Sequence, residues 1–325
     1  MKKILVTGGA GYIGSAVTEM LLRRGYEALA LDNLWQGHRQ AVVREVPLLE
    51  VDLQDRPALE QVFAQHRIDA VIHLAAVSVV GDSVAEPLRY YRENVGGLLN
   101  LLEAMRAAGV RQIVFSSTAS VYGIPSQIPI TEQCAVQPVN PYGWSKLVGE
   151  QILADAHAAH GLNYVSLRYF NVAGATEFCG EAHHPETHLI PRVLEVALGQ
   201  RPHVELYGTD YDTSDGTCIR DYIHVADLAE AHVLALAWGE RGSSVFNLGN
   251  NRGYSVREVV ACAEKVTGKP IPCVEYPRRP GDAPELVASH ERISAELNWQ
   301  PRFGLEEMIA SAWAWRLRHP NGYAE

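Results

Sequence analysis

Tyr142 and Lys146 stand four positions apart in a stretch that reads as a helix, entered through Asn140-Pro141 and closed by Gly161. That spacing puts a phenol and an ammonium on one helix face, about one turn apart. A tyrosine ordinarily titrates near pH ~10, too high for an efficient base at neutral pH, and a neighbouring positive charge favours the phenolate. The pair suits proton abstraction from a hydroxyl, with the lysine tuning the tyrosine. The bland alternative is a helix-surface pair without a task. Thr118 follows a strand of the same sheet, where its hydroxyl could bridge a substrate oxygen and the phenolate or simply cap the strand end. No acid-histidine pair activates Ser116, Ser117 or Thr118, which leaves a hydrolase triad unsupported.

A second group points to a dinucleotide. Gly8, Gly11 and Gly14 form G-x-x-G-x-x-G between a strand and a helix. Gly8 permits a sharp turn, Gly11 lets the backbone approach a pyrophosphate, and Gly14 allows close packing, while the helix N-terminus meets the phosphate charge. Asp32 lies 18 residues beyond Gly14, where a carboxylate accepts hydrogen bonds from ribose hydroxyls and repels a 2′-phosphate. NAD is therefore favoured over NADP, although Arg39 nearby could serve a phosphate. An ordinary strand-helix turn with a surface aspartate is the alternative. Asp52 is read either as a contact to the adenine amino group or as a cap.

These residues need a scaffold to position them. Strands are expected at 2–7, 27–31, up to Val51, at 68–73, 112–115, 164–168 and 245–249, and helices at 56–66, 88–108, 142–160 and 191–198. Ser116 to Ser120 look too polar and small to continue a core strand, and 124–141, with four prolines, reads as a loop. The alternation predicts an α/β fold, a Rossmann-type doubly wound parallel sheet, with a smaller mixed α/β lobe. Residues 1–171 are expected to form the nucleotide-binding domain, with segments near 215–245 returning to it, and 172–325 mainly the second lobe.

Composition narrows the function. The 325 residues are 47% hydrophobic and carry a net charge of −10, and only five of the 28 basic residues are lysines. No basic cluster suggests a nucleic-acid or membrane surface. Lys2-Lys3 run straight into Ile4-Leu5-Val6 without a signal-peptide core, and five scattered cysteines make no disulfide framework, so a reduced, cytoplasmic enzyme is expected. His183, His184 and His188, with Cys179 and Glu181, follow no fixed-geometry metal motif, and no metal is expected.

Seven motifs together resemble the extended short-chain dehydrogenase/reductase family over nearly the whole chain. They are GGAGYIG at 8–14 with Asp32-Asn33-Leu34, HLAA at 73–76, SSTASVYG at 116–123, NPYGWSK at 140–146, RYFNVAG at 168–174, DGTCIRDYIHVADLA at 215–229 and RRPGD at 278–282. The late motifs resemble the family's nucleotide-sugar epimerases. The resemblance implies C4 epimerisation of UDP-glucose and UDP-galactose through a 4-keto sugar and bound NAD, in a homodimer joined through 88–108 and 142–160. It makes Tyr142 the base, Lys146 its partner and Thr118 the proton shuttle. Cofactor contacts would be Gly8, Gly11, Tyr12, Ile13, Gly14, Asp32, Asn33, Asp52 and Leu53, then Leu74, Ala75, Ala76, Asn94, Ser116, Tyr142, Lys146 and Tyr169. The UDP-sugar would meet Thr118, Tyr142, Asn171, His188, Leu189, Arg220, Tyr222, Arg279, Asp282 and Leu286. Arg220 and Arg279 would clamp the diphosphate, as guanidinium forks do, and Asp282 the uridine ribose.

Three positions depart from the family. Ser78 replaces a lysine, His188 an asparagine, and Leu286 a bulky tyrosine. His188 is expected to titrate near neutrality, and Leu286 to leave room for N-acetylhexosamines, UDP-GlcNAc and UDP-GalNAc. A 4,6-dehydratase would carry Asp-Glu after the threonine, where this chain has Ala119-Ser120. A 4-epimerase of another nucleotide sugar, such as UDP-glucuronate, and a non-catalytic NAD-binding sensor stand as alternatives.

Overall fold

The computed structural model describes residues 1–279 and 281–323; Pro280 of the RRPGD motif lies outside the described residues. Two compact units emerge: Met1–Gly123, Val136–Arg168 and Ala229–Phe246 form the first, and Ile124–Ala135, Tyr169–Leu228 and Asn247–Glu325 the second. The returning segment thus starts at Ala229, and 215–228 stays in the second unit. Asp227 accounts for this: its carbonyl accepts from Trp299 Nε1 at 3.0 Å and its carboxylate from the Arg302 backbone at 2.8 Å.

The first unit is built on a seven-stranded sheet. Its strands β1 (Lys3–Thr7), β2 (Glu27–Asp32), β3 (Leu48–Glu50), β4 (Ala70–His73), β5 (Gln112–Thr118) and β6 (Asn163–Tyr169) lie in the order β3-β2-β1-β4-β5-β6, and Ser244–Leu248 adds beyond β6. β1 pairs in parallel with β2 and β4, as β2 does with β3 and β4 with β5. Ile4, Leu5 and Val6 are fully buried, which is why β1 reads as a continuous apolar run rather than an alternating one. The strand order reverses at β1 and β4, the place where open α/β sheets bind ligands. This is the Rossmann-type, mostly parallel sheet flanked by helices.

Gly8, at φ +70°, makes the turn out of β1, and a Cβ there would stand 2.7 Å from the Ala75 nitrogen. The following helix, Tyr12–Arg23, starts at an extended Gly11 with no side-chain cap and no acidic residue in its first turn. Its leading amides are left for an anion. The Pro141–His160 helix is capped instead, by the Asn140 carboxamide on the Gly143 amide at 2.8 Å, and stops at Gly161 with φ +69°. Leu98, Leu101, Phe115 and Leu153 pack with Leu5 and Leu31 in the core of this unit.

Two sequence expectations need correction here. The stretch 88–108 is not one α-helix: Pro87–Tyr90 passes through a π-turn, Tyr91–Gly96, before Gly97–Ala107. The widened turn carries the buried Asn94. Ser116, Ser117 and Thr118 do continue β5, all of them buried. Polarity did not end the strand because partners sit beside it: Ser117 Oγ donates to the Glu150 carboxylate, and the Ser116 carbonyl accepts from Lys146 Nζ at 2.9 Å.

In the second unit Ile219–His224 is the organising strand. It runs parallel to Asn171–Ala173 and Glu285–Leu286 and antiparallel to Gly253–Ser255, while Val204–Tyr207 pairs with Cys273–Tyr276. Ile190, Val193, Leu206, Tyr222, Val259 and Met308 form its core.

A Cβ on Gly14 would fall 1.9 Å from the Gly8 carbonyl oxygen. Gly14→Ala should therefore cost about 2 kcal/mol or more in urea unfolding. An unchanged denaturation midpoint would contradict that packing argument.

Candidate active site

Lys146, only 2% exposed, extends from the Pro141–His160 helix to the end of β5. Its Nζ donates to the Ser116 carbonyl and lies 5.1 Å from the Phe115 ring centroid. Burial pulls its pKa down to about 7, so the amine that the sequence places beside Tyr142 is only partly protonated at neutral pH. One turn earlier on the same face, Tyr142 is half-buried and hydrogen-bonded to Thr118. Burial pushes the Tyr142 phenol up, and the Thr118 hydrogen bond pulls it back. Tyr90 meets the Tyr142 ring edge-on at 6.4 Å and fixes its plane. The Thr118 hydroxyl also accepts from the Ser120 amide at 3.2 Å, so capping and contact with the phenol occur at one atom.

Sequence reasoning missed the supports behind this pair. Glu150 continues the face of Tyr142 and Lys146 by one more turn of four, a periodicity that would have revealed it. Its carboxylate accepts from Arg168 Nε at 2.9 Å and from Nη2, and Arg168 Nη1 donates to the Tyr122 hydroxyl at 2.9 Å. His73 is also hidden: it hydrogen-bonds Thr7 Oγ1 at 2.7 Å and stacks on Phe115. Burial, with Lys146 as a second cause, lowers its pKa to about 3 and keeps it neutral.

Around the glycine turn, the Asp32 carboxylate ends β2 and accepts from the Ala10 amide at 3.0 Å and the Leu34 amide at 2.8 Å. Burial raises its pKa against those hydrogen bonds. Both backbone partners leave lone pairs for ribose hydroxyls. Asn33 donates to Asp52 at 2.8 Å, and the other Asp52 oxygen accepts from the Gln54 amide, so the capping role is present in this side chain. Leu74 continues from β4, donating its amide to the Thr7 carbonyl at 3.0 Å, and Ala75 faces Gly8. Ala76 follows in the same loop. Asn94 gives both carboxamide hydrogens to Val77 O and Ser145 Oγ and accepts from the Val77 amide. It therefore holds that loop in place. Tyr12 is buried and Ile13 half-buried, while Leu53 is buried in the core against Gly97. The uncapped amides, the tight turn that glycine permits at Gly8, and the Asp32 acceptor together fit a dinucleotide.

The second unit collects the residues expected to meet substrate. Arg220 donates through Nη1 to the carbonyls of Ile219 and Ala283, and its Nη2 stands 3.5 Å from Asp282. Leu286 pairs in register with Arg220, and Asn171 with Tyr222 on the other side. The Asn171 carboxamide is anchored on the Asp221 carbonyl at 3.0 Å. The Arg279 guanidinium lies over Tyr207, 3.7 Å from the ring centroid. Tyr169 is buried in this unit too. His188 and Leu189 open the Leu189–Ala197 helix. His188 differs from expectation: burial opposes its charge, but the Glu181 and Glu186 carboxylates, 2.9 and 3.0 Å from Nδ1, outweigh it and raise its pKa well above the usual value.

A family model described as the NAD dependent epimerase/dehydratase family matches residues 4–249. The UDP-glucose 4-epimerase of Lacticaseibacillus casei is 48% identical, covering 99% of this chain and 99% of its own length. A crystal structure of UDP-glucose 4-epimerase superposes with a TM-score of 0.97 at 46% identity, covering 100% of both chains. Another, from Bifidobacterium longum in complex with NAD+ and UDP, gives 0.94 at 42% identity over 99% of this chain and 100% of its own.

With only five lysines to resolve, ¹³C labelling of their ε-carbons reads Lys146 directly. Cofactor-free protein should show one resonance titrating near pH 7, absent in Lys146→Met. A Lys146 midpoint above pH ~10 would contradict the desolvated placement.

Proposed function

The chain belongs to the NAD dependent epimerase/dehydratase family, and from that premise we propose that it interconverts UDP-glucose and UDP-galactose by inverting C4 through a 4-keto sugar. The reading rests on one observation: Tyr142 and Thr118 are hydrogen-bonded to each other one turn from the buried Lys146. Tyr142 takes the 4-hydroxyl proton, and Thr118 links the phenol to the substrate oxygen. When bound, NAD supplies a reversible hydride acceptor and, oxidised, a positive charge that favours the phenolate. Gly8, Gly11 and Gly14 admit its pyrophosphate to the helix amides and Asp32 takes its ribose; Lys146 holds the other ribose beside Tyr142.

The assignment to epimerisation and not oxidation follows from what the substrate residues hold. Arg220 and Arg279 bind the diphosphate and Asp282 the uridine ribose, while Asn171, Tyr222, His188 and Leu189 line the way to the sugar. Tethered through its diphosphate, the 4-keto sugar turns over and presents its opposite face. Tyr142 then returns the proton to the same oxygen. Ala119 and Ser120 supply neither the acid nor the base that elimination of water across C5 and C6 requires. No step calls for a metal.

We also assign a homodimer and a cytoplasmic location. Leu88, Tyr91, Leu99 and Trp144 are exposed apolar side chains on the segments expected to pair, which supports the dimer. Among the described residues no helix is long and apolar enough to cross a membrane.

Tyr142→Phe should lower turnover at least ~100-fold while retaining NAD, measured by UDP-galactose conversion and by cofactor released on denaturation. Near-normal turnover would remove Tyr142 as the base. Leu286 in place of a bulkier residue extends the substrates to UDP-GlcNAc. The wild type should epimerise it, and Leu286→Tyr should lower the UDP-GlcNAc rate relative to UDP-glucose by roughly tenfold or more. Full UDP-glucose turnover with none on UDP-GlcNAc would defeat the specificity assignment alone.

A further inference from the structure

The loop ahead of the Leu189–Ala197 helix brings together four side chains whose spacing in sequence matches no metal motif. We propose that Glu181, His183, Glu186 and His188 bind one structural Zn²⁺ per chain, pinning this loop to the first turn of that helix. One ligating atom from each residue lies within 4.8 Å of all the others. Glu181 Oε1 is 3.1 Å from His183 Nδ1 and 2.9 Å from His188 Nδ1. Glu186 places Oε1 3.0 Å from His188 Nδ1 and Oε2 3.8 Å from His183 Nδ1. A tetrahedral zinc with bonds of about 2.0–2.2 Å spaces its ligands roughly 3.3–3.6 Å apart, within the span observed.

An independent feature points to a ligand. Glu186 Oε2 is buried without a hydrogen-bond partner, on a residue only 7% exposed, and it faces the cluster. A buried, unsatisfied carboxylate oxygen is costly, and a cation would satisfy it. The other Glu186 oxygen is already oriented by the Thr187 and His188 amides, each at 2.8 Å, as outer-shell donors orient metal-bound carboxylates. The loop is held at its start as well: Gly180 lies against Trp315, where a Cβ would come within 2.3 Å of the ring, and its amide donates to the Tyr323 hydroxyl.

The donor set selects the ion. Zinc would displace the protons that the two imidazoles share with the carboxylates, leaving two carboxylates to balance its divalent charge, and imidazole with carboxylate suits zinc better than the hard cations calcium or magnesium. Four protein ligands close the coordination sphere, which marks a structural site and not a catalytic one. The proposal shares His188 with the residues assigned to the way to the sugar, but none of its observations concerns Tyr142 or the glycine turn.

The test uses the full chain without an affinity tag, stripped with a chelator, reloaded with Zn²⁺ and dialysed. About one zinc per chain should remain by elemental mass spectrometry, and the thermal midpoint should rise on reloading. Co²⁺ in its place should give the intense visible bands of four-coordinate cobalt. Glu186→Gln, which keeps an oxygen for the two backbone amides, and His183→Gln should each weaken zinc binding roughly tenfold or more. Zinc below ~0.1 per chain after dialysis, six-coordinate cobalt spectra, or equal retention in the wild type and both folded variants would overturn the assignment.

Discussion

A lysine carried into the interior of the first unit sets the terms for its neighbours. Lys146 can be buried only because a carbonyl receives its Nζ, and that carbonyl belongs to Ser116 at the far end of β5. The strand must therefore run past Phe115 with polar residues in a dry place. Ser117 finds Glu150, Glu150 finds Arg168, and Arg168 reaches Tyr122, each satisfying the next. Thr118 arrives beside Tyr142 as the last residue of this extended strand. The Tyr142 phenol is positioned by a chain of buried polar contacts that starts with one desolvated amine.

Much of this is legible in the sequence. Glycine spacing, the strand-end aspartate and the i, i+4 pair are local patterns, and local patterns survive in sequence. The end of β5 was not legible, because serine and threonine are poor strand signals unless their partners are known, and Glu150 lies 33 residues from Ser117. The π-turn escaped for a related reason: its apolar residues fit a helical period closely enough to read as one helix. His188 was misjudged because its two carboxylates are neighbours in the fold, and the ordinary behaviour of an isolated imidazole says nothing about them. The start of the returning segment at Ala229, inside the expected 215–245, is not legible locally, because Asp227 is held by Trp299 and Arg302, more than 70 residues on.

The two units handle charge by different means. In the first, a single amine is desolvated, and burial alone brings its pKa down to about 7. In the second, the Arg220 and Arg279 guanidinium groups are fixed by their surroundings, one braced by two carbonyls and the other laid on an aromatic ring. A compact amine fits the dry end of a strand, and a planar guanidinium suits a brace of carbonyls or an aromatic face.

The π-turn at Tyr91–Gly96 has a consequence for how this chain can drift over evolutionary time. A π-turn holds one residue more than the α-turn it replaces and absorbs it within the widened turn, so the helical turns on either side keep nearly the same phase. Removing a single residue there would let the segment relax to a plain α-helix with Leu98 and Leu101 still facing the core. The casualty would be Asn94, whose carboxamide reaches Val77 and Ser145 from the widened turn itself. The extra residue thus serves one side chain, and the helix could lose it only at the expense of the loop that Asn94 holds.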